Sequence, residues 1–108
     1  MDQQPNLEAR SQELQAKFEE LLESGNVYYN PPLSKKIEYD AIVYDRSKIE
    51  NTFANDYVYR QFHQWEVTVI TEDPDAPIIY KISRLPMCTH DRHFVSDNLH
   101  HNVFTLYH

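Results

Sequence analysis

Glycine is almost missing from this chain: Gly25 is the only one among 108 residues. Phosphate-cradling loops and dinucleotide fingerprints need several glycines at fixed spacing, so neither is present. A single cysteine, Cys88, excludes an intrachain disulfide and fits a reducing cytoplasm as the place of synthesis. No apolar run approaches the length of about 20 residues that crosses a bilayer. The start, Met1-Asp2-Gln3-Gln4, has neither the cationic nor the apolar part of a secretory leader. Basic residues are scarce too, 10 against 17 acidic ones for a formal charge of −7. Duplex binding needs Lys and Arg to displace counterions, so free nucleic-acid binding is disfavoured. The same repulsion suits a conduit through which DNA slides without sticking, and it also keeps a small domain soluble.

What the chain does have is aromatic side chains, with 8 Tyr, 5 Phe and 1 Trp in a hydrophobic share of 41%. A tyrosine offers an apolar body and a hydrogen-bonding tip, and a surplus of such residues beyond core needs serves protein interfaces. Residues 1–108 are expected to form a single α+β domain, a mostly antiparallel sheet of about four to five strands with an N-terminal helix and a second short helix packed on it. The first helix is expected over about 7–24, because Leu7, Leu14, Phe18, Leu21 and Leu22 recur at helical spacing among acids. Pro5-Asn6 offers its cap, Glu8 suits its positive end, and Gly25 is expected to close it in the left-handed conformation.

The sheet and second helix are expected over 27–108. Residues 27–32 are extended and end in two prolines, so they read as an edge or connector. Residues 37–44 read as a strand whose Ala41-Ile42-Val43 is covered on both faces. The stretch 45–56 is polar and reads as a long connection, with Phe53 either an exposed anchor or folded back on the sheet. Residues 57–71 alternate as a long strand with Trp65, Val67 and Val69 facing the core, antiparallel to 37–44. Asp73 and Asp75 read as caps for a helix from about Pro77 to Leu85. Residues 87–95 and 99–107 form a terminal hairpin, since Asp97-Asn98 tolerate the left-handed backbone of a tight turn.

Cys88, His90, His93, His100 and His101 lie close together in sequence and suggest zinc. Strand alternation argues otherwise, placing Cys88 and His90 on one face and His93 on the other, with no glycine for a knuckle. A catalytic thiolate at Cys88 would need an orienting third group and an oxyanion cradle, and none is visible. No catalytic residue, metal ligand or cofactor is expected. The alternative from another class is a small metal-dependent enzyme built on this histidine-rich hairpin.

Val27-Tyr28-Tyr29-Asn30-Pro31-Pro32, Tyr39-Asp40-Ala41-Ile42-Val43-Tyr44, Glu72-Asp73-Pro74-Asp75, Asp91-Arg92-His93-Phe94, Asp97-Asn98-Leu99 and Val103-Phe104-Thr105-Leu106-Tyr107 together form a pattern. Over about residues 27–107 it resembles the small tail-terminator proteins of long-tailed, siphovirus-type bacteriophages, also called tail-completion or head-tail joining proteins. The sequence departs from that pattern at Phe94, where Tyr is common, and at His100-His101. The resemblance implies an α+β virion protein of the tail and neck, not an enzyme, assembled in the host cytoplasm as a homo-oligomer, a hexameric ring. Its implied partners are the tail tube protein and the head connector, with DNA passing through the lumen without specific binding. A head-completion protein of the same neck is the alternative. For the ring contact the residues point to Arg46, Lys48 and Phe53 meeting the acidic helix face that carries Glu19 and Glu23. No membrane is involved in that scheme.

Overall fold

The computed structural model describes residues 7–54 and 57–108, and within them it is an α+β fold: helix α1 (Leu7–Leu22), strands β1 (Val27–Tyr29), β2 (Ala41–Ala54) and β3 (Tyr57–Thr71), helix α2 (Pro77–Ser83), and strands β4 (Cys88–Ser96) and β5 (Leu99–Tyr107). The five strands make one sheet in the order β1-β2-β3-β5-β4. Only the β1–β2 pair is parallel. The expected Pro5-Asn6 cap and the side chain of Glu8 lie outside the described residues.

One face of the sheet carries the helices. Ile42 and Tyr44 of β2, Trp65, Val67 and Val69 of β3, and Phe104 and Leu106 of β5 stand on it and are buried with Leu14 and Phe18 of α1 and Ile78, Ile79 and Ile82 of α2. Period-two alternation in β3 and the helical stripe of α1 meet here, and each supplies what the other must cover. Phe18 sits edge-on to Tyr44, with ring centroids 5.1 Å apart. The Tyr44 hydroxyl reaches 2.9 Å from both the Ser11 carbonyl and Gln15 Oε1, tying the sheet to α1. Burial, with smaller contributions from Tyr29 and Glu19, pushes the Tyr44 hydroxyl up to about 12. The opposite face mixes Ala41, Ile70 and Val103 with Glu66, Thr68, Thr105 and Arg92. No helix covers it.

Several local expectations are corrected. Helix α1 stops at Leu22, and Glu23 rather than Gly25 takes the left-handed conformation, with φ 59°. The Glu23 and Ser24 amides then close on the Glu19 carbonyl, so Gly25 is left with no conformational task. A Cβ at Gly25 would meet nothing within 4 Å. Gly25→Ala should therefore raise stability by about 0.4–1 kcal/mol through the unfolded chain. Equilibrium urea unfolding checks this, and a loss of stability would mean the position needs glycine after all. Asp73 does not cap α2, whose N-cap Ala76 has no side-chain cap bond. Instead Asp73 Oδ1 accepts the Asp75 amide, and Asp75 Oδ1 accepts the Tyr80 hydroxyl. Residues 37–40 are not strand. The Glu38 amide donates to the Tyr28 hydroxyl and Asp40 Oδ1 accepts the Glu72 amide, so this stretch serves loops on either side.

The stretch 45–56 is the largest correction, because β2 runs on to Ala54 instead of ending in a loop. It pairs with β3 as far as Ala54 opposite Tyr57, with register shifts between Arg46 and Lys48 and between Thr52 and Phe53. The terminal hairpin follows expectation, and Asp97 and Asn98 both have positive φ, 54° and 64°. Its strand β4 holds a surprise, a bulge at Asp91 between the His90 and Arg92 pairings. An extra residue inverts the alternation beyond it. His93 therefore lies opposite Asn102 and joins Cys88 and His90 on the helix-side face, against the expected split.

Candidate protein-protein interface

The β2–β3 hairpin outgrows the sheet that supports it. Strand β1 pairs with β2 only to Tyr44, and β5 pairs with β3 only from Gln64 onwards. Beyond those points, residues 47–54 and 57–63 have no other strand partner among the described residues. Eight strand residues reach about 26 Å at the usual rise. The molecule is accordingly elongated, 51 × 25 × 24 Å, with a radius of gyration of 15.2 Å where about 13 Å is usual for this length.

The arm carries apolar side chains that the described residues leave partly or largely open to solvent. Ile49, Phe53 and Tyr57 are 43%, 62% and 77% exposed. A two-stranded ribbon in water is marginal by itself, and these side chains contribute nothing to it by facing solvent. Polar side chains also meet across the ribbon, as where Gln61 Nε2 donates to Asn51 Oδ1 at 3.0 Å.

At the arm's root the sheet turns polar while staying buried. Arg46 pairs with Trp65 and Ile49 with His63 across the two strands, on the helix-side face. The C-terminus folds onto the same place: the His108 amide donates to the His63 carbonyl, and Arg10 Nη1 donates to the His108 carbonyl at 2.7 Å. Within this cluster Arg46 Nη1, Trp65 Nε1, Arg10 Nε and His63 Nδ1 are buried without a hydrogen-bond partner among the described residues. Buried donors left unmade cost about 1–3 kcal/mol each, so such a group needs an explanation. Burial first, then the charges of Arg10, Arg46 and His108, pull His63 below its ordinary value.

That depressed His63 has a consequence for pH. The unfolded imidazole takes up its proton near pH 6.5, where the folded one still resists, so stability from this site is present above that pH and lost as pH falls. His63→Gln should flatten the stability profile between about pH 7 and 5. Thermal melts across that range check it. A profile as steep as that of the parent chain would remove His63 as the cause.

The residues singled out from the sequence are not gathered as expected. Arg46 faces the helix side, whereas Lys48, past the register shift, lies opposite Gln64 on the other face. Lys48 is already held by Glu50 at 2.7 Å, an exposed pair of little energetic weight. Glu19 accepts from Gln15 Nε2 at 3.1 Å, and Glu23 pairs with Lys81 at 3.3 Å. Phe53 is on the arm near its tip. Sequence reading missed Ile49 and Tyr57 as exposed anchors and the orphaned donors of Trp65 and Arg10. The first pair was legible in the alternation of 57–71 and of 49–53, and the second was not, since it depends on residue 108 folding over the root.

Elsewhere the surface offers little chemistry. Burial pushes the Cys88 thiol up to about 11, which keeps it from acting as a thiolate. No group of three or more His, Cys, Asp and Glu side chains among the described residues is placed to hold a metal ion. A half-open, largely apolar cavity of about 460 Å³ lies between α1 and the α2–β4 connection, with Leu14, Leu85, Met87 and Leu106 on its walls. No described helix is long and apolar enough to cross a membrane. Compared with protein-family models, curated proteins and solved structures, the chain finds no match in any of the three.

Proposed function

We propose that the chain is a structural subunit of a phage neck, which caps the tail tube as an oligomeric ring and joins tail to head. The observation that carries this reading is the β2–β3 arm, too long for its own sheet and bearing Ile49, Phe53 and Tyr57 uncovered. Exposed aromatics on a projection are anchors of the kind that dominate interface energetics. With each arm docked on the next subunit and not exchanged between two, the contact is head-to-tail, and such contacts make a ring where the rotation between neighbours closes. A charge of −7 suits a lumen that DNA traverses without being held. The resemblance of residues 27–107 to tail terminators supplies the particular assembly.

Mass spectrometry of purified particles of the phage encoding the chain is the test of its place in the virion. The chain is expected among the particle proteins, at low copy number relative to the tail tube protein. Its presence in infected cells but absence from particles would overturn the reading in favour of an adaptor acting on a host protein.

A further inference from the structure

The bulge at Asp91 does more than turn His93 to the helix-side face. It brings His93 Nε2 to 3.1 Å from His100 Nδ1, with ring centroids 5.4 Å apart and the planes within 17°. The two nitrogens face one another and at most one N–H lies between them. We infer that His93 Nε2 and His100 Nδ1 form a two-histidine site for a first-row divalent ion such as Zn²⁺ or Cu²⁺, clipping the edge strand β4 to β5. The inference does not depend on whether the chain forms a ring.

The geometry is close to what a metal needs. Two imidazole nitrogens about 2.1 Å from a tetrahedral ion stand about 3.4 Å apart, a few tenths of an ångström beyond the spacing seen here. His93 is exposed and His100 partly buried, so the remaining coordination positions open to solvent and would be filled by water. Both ligands stand on the hydrogen-bonded pair β4–β5, and rotation of both rings about their side-chain bonds turns the two lone pairs onto one ion. The neighbouring polar groups are already engaged and do not compete. His90 Nε2 lies 3.0 Å from Asn102 Oδ1, and Asp91 is paired with Arg92 at 2.7 Å. A neutral imidazole need not lose a net proton on binding, because the N–H at the contact can pass to the other nitrogen of the same ring. With only imidazoles and no carboxylate, the site selects ions that favour nitrogen over those that favour oxygen, so Mg²⁺ and Ca²⁺ are excluded.

Calorimetric titration of the full chain with ZnCl₂, CuCl₂ and MgCl₂ at pH 7.5 tests this. One Zn²⁺ or Cu²⁺ per chain should bind saturably, copper the tighter, and Mg²⁺ not at all. His93→Gln and His100→Gln should each weaken binding at least tenfold. His101→Gln should leave it unchanged, since His101 stacks on Phe94 at 4.6 Å on the opposite face. Circular dichroism melts in the absence of metal keep a folding defect distinct from a lost ligand. ¹⁵N spectra of the parent chain should show the His93 Nε2 and His100 Nδ1 resonances shifting on Zn²⁺ addition. One-to-one binding that survives the double variant, equal loss in His101→Gln, or no saturable uptake by the parent would each overturn the site.

Discussion

Val69→Asp should abolish folding. Val69 is fully buried in β3, opposite Ile42 on one neighbour and Asn102 on the other, and faces the helices with Trp65 and Val67. Its cross-strand neighbours Ile42 and Asn102 carry no charge to pair with a new carboxylate. Burying an unpaired charge costs several kcal/mol, comparable with the whole stability of about 5–15 kcal/mol for a domain of this size. The same change at Val95, which is 55% exposed on the edge strand, should alter stability by no more than about 0.5 kcal/mol. A cooperative melt for Val69→Asp near that of the parent would show that β3 does not face the core as described.

Removing the arm's anchors should leave the monomer intact and dissolve the assembly. Phe53 and Tyr57 touch solvent in the isolated chain, so Phe53→Ala with Tyr57→Ala should change the melting transition little. At an interface, central aromatic anchors are worth about 2 kcal/mol or more each, which is roughly a thirtyfold weakening per contact. Arg46→Glu should act through the root instead, by reversing the charge on the flank from which the arm projects. Both variants are expected to lose oligomer and tail joining together. Sedimentation velocity reads the first and infectivity the second. Variants that keep normal assembly, tail length and infectivity would place the contact elsewhere, most simply on the terminal hairpin.

The helices, the long strand β3 and the terminal hairpin were legible because each has a pattern with one buried face. Trp65, Val67 and Val69 alternate cleanly, and Asp97-Asn98 announce their own turn. The arm was hidden for a physical reason. A ribbon wet on both sides needs no apolar period, so residues 47–54 looked like a connection although Ile49, Thr52 and Phe53 favour strand. The bulge at Asp91 left no mark in composition either, and one unpaired residue there was enough to move His93 to the other face. Charge patterning misled in a different way. Lys48, Glu19 and Glu23 were grouped as complementary patches, yet Lys48 and Glu23 have ion-pair partners within the chain and Glu19 a hydrogen-bond partner. Nor does a sequence disclose that its C-terminus will close over Arg10, His63 and Trp65.

The proposed ring requires this elongated, acidic domain to self-assemble by docking its arm on a neighbour. Native mass spectrometry of the untagged chain, alone and mixed with purified tail tubes, tests it most directly. The account predicts a closed oligomer, a whole-number multiple of the 12.9 kDa protomer that becomes dominant on the tubes. A single species at 12.9 kDa under both conditions would contradict it.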